Sequence, residues 1–288
     1  MKIRSVAGTV IAVVALCGIL SAGPVRVAPA ESPQQAPATM LPDEPLPKGA
    51  RIYVAPMPNG FDTYVIAGFQ NKQVPVVVVT VREKADYELT GVSETDKAGW
   101  AKTLFTGSTS TAETASIKIV DLKSEKVVFA YSYHTGNSVR GRQSAGESVA
   151  KHIKERMDKG GGDEAVTSSV PSIPPGAKVF VSAMENGFDD YLKAAFEAKK
   201  VPVQVVADRS LADFEISGHA ESQKAGAAKI FLKGDIHSSE EASVVVSDLK
   251  TSVVVFSYSV DKSSSAHGKQ STAEAVAKHL KDKIEGKD

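Results

Sequence analysis

Apolar and polar positions along this chain fall into short alternating runs, unbroken valine runs and two kinds of helical spacing, and the whole order of runs occurs twice. Arg51-Ile52-Tyr53-Val54-Ala55 is rich in β-branched and aromatic residues, follows Gly49 and ends at Pro56, which predicts a first strand. Phe61, Tyr64, Val65, Gly68 and Phe69 then recur at the 3.6-residue period of one helix face, as do Phe188, Tyr191, Leu192, Ala195 and Phe196. Asp62 and Asp189 stand in the first turn, where the helix dipole favours a carboxylate. The preceding Asn59-Gly60 and Asn186-Gly187 suit a turn, since both residue types tolerate positive φ.

The run Val76-Val77-Val78-Val79 reads as a strand covered on both faces, central in its sheet and parallel to the first strand. In the second half Gln204 interrupts the corresponding run. Tyr87 to Thr90 and Phe214 to Ser217 alternate, which marks strands with one wet face. Further strands are expected at Ala101 to Phe105, after the Lys97-Ala98-Gly99 turn, at Ala115 to Asp121 and at Val127 to Tyr133. Ser144-x-x-Glu147 and Ser271-x-x-Glu274 then announce a second helix as capping boxes, with Val149, Ile153 and Met157 on the buried side.

A single offset of 127 (187 − 60 = 127) relates the halves without a gap. It pairs Asn59-Gly60-Phe61-Asp62 with Asn186-Gly187-Phe188-Asp189, Asp121-Leu122-Lys123 with Asp248-Leu249-Lys250, and Val149-Ala150-Lys151-His152 with Val276-Ala277-Lys278-His279. Solenoid units are only about 20–50 residues long, so each copy reads as a domain. The fold class that follows is α+β: two tandem copies of a β-α-β-β-β-β-β-α domain, a mixed sheet with two helices packed on it. The expected boundaries are residues 1–30 for a signal peptide, 31–48 for a proline-rich spacer, 49–157 for the first domain, 158–175 for a Gly/Pro-rich linker and 176–286 for the second domain.

The leader has Lys2-Ile3-Arg4, an apolar run from Val6 to Leu20, and Ala28-Pro29-Ala30 before a cleavage point at Glu31. Periplasmic or secreted localisation follows. The competing reading is an uncleaved anchor over Val6 to Gly23, which would make the N-terminal segment a membrane tether. Cys17 is the only cysteine and sits inside the apolar run after Leu16, an unfavourable context for lipidation. A chain cut after Ala30 has no disulfide, thiol nucleophile or cysteine-ligated metal. Losing Lys2, Arg4 and Arg26 leaves 34 − 3 = 31 basic against 34 acidic residues, a balance that does not favour nucleic acid.

The Ala-Asp-(Tyr/Phe)-Glu-(Leu/Ile)-(Thr/Ser)-Gly segments at Ala85 to Gly91 and Ala212 to Gly218, with Asp121-Leu122-Lys123-Ser124 at a later turn, resemble bacterial envelope domains. The likeness is to the TolB N-terminal domain, the outer-membrane activators of penicillin-binding proteins and the curli secretion family. It implies a non-enzymatic periplasmic binding or assembly module with an envelope protein as partner. The chain departs from those families in having no propeller, no pore-forming insertion and no lipid-attachment site.

Among candidate chemistry, Arg140-Gly141-Arg142-Gln143-Ser144 and His267-Gly268-Lys269-Gln270-Ser271 set a glycine, a cation and a hydroxyl at a helix N-terminus. Arg142, Ser144, Lys269 and Ser271 are thus candidate anion-binding residues, against the plainer reading of a loop and helix cap. A phosphate-binding loop would need glycine at Ser263 and Ser or Thr where Gln270 stands. His152 and His279 are shared by both copies but have no second ligand at helical spacing, so a structural role is expected and no metal. Asp86 with Glu88, and Asp213 with Glu215, share one side of a strand as an acid/base pair would, or as solvated carboxylates do. No serine lies in a Gly-x-Ser-x-Gly elbow and no cofactor motif is present, so no catalytic residue is assigned. Trp100, replaced by Ala227 in the second copy, is a candidate contact anchor. The expected function is an exported envelope protein acting as a protein-binding or assembly scaffold. The alternatives are a small-anion binder and a hydrolase using the two Gly-(Arg/Lys)-Gln-Ser helix N-termini.

Overall fold

The structure, a computed structural model, describes residues 46–96, 111–138, 141–159, 171–223, 238–265 and 268–287. The leader, most of the proline-rich spacer, the candidate strand 101–105 and Trp100 lie outside the described residues. The first copy consists of β1 (Arg51–Val54), α1 (Phe61–Asn71), β2 (Val77–Val79), β3 (Tyr87–Asp96), β4 (Thr111–Asp121), β5 (Val127–Ser138) and α2 (Gly141–Lys159). The second has β6 (Ala177–Val181), α3 (Phe188–Lys199), β7 (Val203–Val206), β8 (Phe214–Gln223), β9 (Ser238–Asp248), β10 (Val254–Ser265) and α4 (Gly268–Ile284).

Among the described residues each copy is a five-stranded mixed sheet, ordered β2-β1-β3-β4-β5 and β7-β6-β8-β9-β10, with two helices on one face. The class is therefore α+β with two similar sheet units. β1 runs parallel to β2 and β3, as β6 does to β7 and β8, and the remaining pairs are antiparallel. The expected left-handed turns are present: φ is 56° at Asn59 and 66° at Gly60, and 57° at Asn186 and 67° at Gly187. Asp62 and Asp189 brace this turn, each carboxylate accepting from the backbone N–H five residues earlier, Met57 and Met184.

One expectation about the sheet is corrected. β2 is parallel to β1 as predicted, but it is an edge strand. Val77 and Val79 are buried because the second copy covers them, while Val78 belongs to the first copy's core. Val79 bridges Val253 in antiparallel sense, the Thr80 N–H donates to the Ser252 carbonyl at 2.8 Å, and Val77, Val79 and Val253 form a small apolar cluster. An apolar run reports coverage without saying what supplies it.

The capping boxes are also corrected. α2 starts at Gly141 and α4 at Gly268, so Ser144 and Ser271 lie inside the first turns. Glu147 and Glu274 instead accept from Gln143 and Gln270 one turn earlier and pair with Lys72 at 2.8 Å and Lys199 at 2.7 Å. These ion pairs tie the second helix of each copy to the C-terminal end of the first. The paired helices cross more closely in the first copy. A Cβ on Gly146 would lie 2.5 Å from the Tyr64 carbonyl oxygen, whereas the second copy has Ala273 at the corresponding position.

Both copies belong to one compact unit and meet asymmetrically. α1, already packed on its own sheet, lays its other side across the outer face of β9 and β10. Small side chains on that face, Ser243, Ser257 and Ser259, permit the approach and are buried by it. The Ser257 N–H donates to Gln70 Oε1 at 2.5 Å, and its hydroxyl to the Ile66 carbonyl at 3.1 Å. Val245 belongs to the first copy's hydrophobic cluster.

Candidate functional site

Charged residues gather where α1 and the start of α2 meet the second sheet. In-register pairing sets Glu221 beside Glu241 and Glu241 beside Asp261, a row of three carboxylates across β8, β9 and β10. Arg142, only 4% exposed, is ion-paired with Glu221 and donates from Nη1 to the Asn59 carbonyl at 3.4 Å. Its guanidinium carbon stands 5.9 Å from the centre of the Tyr64 ring, within cation–π range. The group that sequence assigns to an anion is thus engaged by a carboxylate of the chain itself.

His219, two residues before Glu221 on β8, faces Arg142 Nη1 through Nε2 at 3.3 Å and Glu185 through Nδ1 at 2.5 Å. A neutral ring protonated on Nδ1 satisfies both contacts, donating to Glu185 and accepting from Arg142. Consistent with that, burial lowers its pKa, against the opposing pull of the Glu185 carboxylate. Asp62, beneath the same joint, has its carboxyl raised by burial despite the Met57 N–H. Asp189, its counterpart in the second copy, is lowered by the hydrogen bond from Lys193.

Lys269, the counterpart of Arg142, is set identically without an acidic row facing it among the described contacts. Its Nζ donates to the Asn186 carbonyl at 2.9 Å and lies 5.9 Å from the centre of the Tyr191 ring. Ser144 and Ser271 are half-buried in the first turns of their helices. Thus the structure brings Arg142 and Ser144 to one helix end and Lys269 and Ser271 to another, and the four do not converge.

The carboxylates considered for acid/base work have structural partners. Asp86 and Asp213 accept from the N–H groups of Arg51 and Lys178 at the starts of β1 and β6. Glu88 pairs with Arg82, while Glu215 pairs with Arg209 and accepts from Ser182. His152 and His279 lie against Tyr131 and Tyr258, with ring centres 4.1 and 4.2 Å apart. Among the described residues no group of three His, Cys, Asp or Glu could hold a metal, and no helix is long and apolar enough to cross a membrane.

One feature missed by sequence reasoning is an open groove of about 450 Å³ on the second copy, between α3 and edge strand β7. Phe196, Val201, Val203 and Val205 line its apolar part, with Glu197 and Lys200 at its margin. Gln204 is absent from its lining and marks only the other face of the same edge, where its counterpart Val77 is covered by Val253.

No family model matches the sequence, and no curated protein matches it. Among solved structures, a single-substitution variant of the PelC dodecamer from Paraburkholderia phytofirmans is similar, with TM-score 0.31 and 20% identity over 40% of this chain and 92% of that one. A second PelC dodecamer from the same organism gives 0.30 and 22%, over 40% and 93%. TolB from Acinetobacter baumannii gives 0.28 and 9%, over 77% and 40%. The likeness to TolB expected from the Ala85 to Gly91 pattern returns at this low level, which says nothing about activity or partners.

Proposed function

We propose that this chain is an exported envelope protein whose paired α+β units bind another protein and serve as an assembly scaffold, without catalysis of their own. The observation that carries this reading is the groove beside β7. An edge strand with free backbone groups on its outer side, next to an apolar trough, suits an extended segment or a sheet face of another protein. Val205 is 41% exposed there and Tyr191, on the same helix-bearing side, 44%. The polar groups with chemical potential support the same view, since Arg142, Glu88, Glu215, Asp86 and Asp213 are all spent on structural contacts. Export rests on the basic, apolar and small-residue order of Lys2 to Ala30.

The test is a photo-crosslinking residue at Val205 in cells producing the chain. A discrete protein adduct from Val205, absent when the residue is moved to exposed Lys151 on α2, is the expected result. No adduct from Val205 removes the basis of the reading.

A further inference from the structure

The joint between the two copies is heterologous: the helix side of one meets the outer sheet face of the next. Such a joint leaves an unused helix side, on α3 and β7, and an unused sheet face, on β4 and β5. We propose that these ends fit one another, so that a second copy of this chain sets its β4–β5 face against α3 and β7, repeating between molecules the joint found within one. This rests on the binding reading above and names the partner.

Four observations point there. First, the socket is already built. The 127-residue offset maps Phe69, Gln70, Val74 and Val78 onto Phe196, Glu197, Val201 and Val205, so the open groove is the counterpart of the one the second copy fills in the first. The Lys269, Tyr191 and Asn186 arrangement repeats that of Arg142, Tyr64 and Asn59, which receives Glu221. Glu94 is the offset counterpart of Glu221.

Second, the plug is bare. Ser116, Lys118, Ala130 and Ser132 are exposed on the first sheet, while their counterparts Ser243, Val245, Ser257 and Ser259 are buried under α1. Third, of the five large apolar side chains exposed among the described residues, four fall at these ends. Tyr191, Val205 and Leu211 lie on the socket side, and Val92, 52% exposed, is the counterpart of His219 on the plug.

Fourth, the substitutions at the two ends match in charge. Inside the molecule Gln70 accepts from Ser257, whose cross-strand neighbour is Val245. At the ends Glu197 stands for Gln70, Ala130 for Ser257, and Lys118, the cross-strand neighbour of Ala130, for Val245. In the repeated joint Glu197 meets the Ala130 N–H and the Lys118 ammonium together. Lys193, which replaces Ile66, is already paired with Asp189 at 2.8 Å and Asp190 at 3.1 Å. An outer joint built on exposed charges is weaker than the inner one and sensitive to salt.

The experiment is sedimentation velocity on the purified chain across concentration, at low and high ionic strength. The expected result is an average mass that rises with concentration at low salt and returns to that of one chain at high salt. Lys118→Glu or Glu197→Lys alone raises the dissociation constant by about tenfold or more, and the two together restore association. Circular dichroism verifies that both variants are folded, and Val205→Asp provides an independent disruption of the socket. A chain that stays single at every concentration overturns the proposal, as does association indifferent to Lys118, Glu197 and Val205. In the cellular crosslinking experiment, an adduct from Val205 to a different protein alone would sink self-docking while leaving the binding function standing.

Discussion

Replacing Arg142 with methionine keeps most of the side chain's volume and removes its charge beneath the joint between copies. Arg142 is 4% exposed and Glu221 retains 24% of its side-chain exposure, so the stranded carboxylate is partly but not fully solvated. Breaking a fully buried pair costs about 3–5 kcal/mol, and exposed pairs are worth roughly 0–1. Glu221 lies nearer the buried limit, and Glu241 and Asp261 add like charge in the same cross-strand row, so about 2–3 kcal/mol is expected. For a unit of this size that is a fall in Tm of roughly 5–10 °C. Lys269→Met supplies the contrast. It has the same backbone setting and the same aromatic neighbour but no acidic row, and its expected cost is below about 1 kcal/mol. Thermal unfolding followed by circular dichroism measures both, and a double-mutant cycle with Glu221→Gln isolates the pair. Equal shifts for Arg142→Met and Lys269→Met, or no coupling between Arg142 and Glu221, would refute the assignment of this ion pair to the joint.

Gly146→Ala should destabilise the first copy by about 1–3 kcal/mol, because its Cβ would enter the Tyr64 carbonyl at 2.5 Å and force α1 from α2; urea unfolding detects it as a lower midpoint. At His219 burial lowers the folded pKa, so the unfolded chain binds the proton first as pH falls. Stability is therefore retained above about pH 6.5 and declines from there down to the folded pKa, and His219→Gln should flatten that decline in a Tm-versus-pH series. Asp62 has the opposite sign: its raised folded pKa makes the native state take up the proton first, so Asp62→Asn removes a gain in stability on acidification.

The order of elements was legible because periodicity and turn chemistry are local, and because two copies of each element carry the same signal. Phe61 to Phe69 and Phe188 to Phe196 announce α1 and α3, and Asn59-Gly60 with Asn186-Gly187 announce their left-handed turns. What was not legible depends on distant partners. Val77 and Val79 are buried at a sheet edge because Ser252 and Val253, in the other copy, lie over that edge, and nothing local to the run distinguishes this from a central strand. Similarly, Ser144-x-x-Glu147 has the letters of a capping box. Its glutamate is drawn instead to Gln143 and to Lys72 on the neighbouring helix.

The candidate site was hidden for a different reason: agreement between the copies reveals the fold, whereas disagreement reveals the joint. Where α1 meets the second sheet, Thr63, Ile66 and Gln70 are matched by Asp190, Lys193 and Glu197 on α3, and Val245 by Lys118. Each change puts a charge on the copy whose face is open and a neutral side chain on the copy whose face is covered. Burial without a partner penalises charge by several kcal/mol, so such a pattern arises where one face is permanently dry and its counterpart is wet at least part of the time. Yet Tyr191, Val205, Leu211 and Val92 remain exposed among those charges, and Glu197 and Lys118 have opposite signs at matching positions. A purely solvated end has no need of either. An end that binds reversibly needs both: charge to keep the free chain in solution and steer the encounter, and apolar surface to hold the contact once water has left.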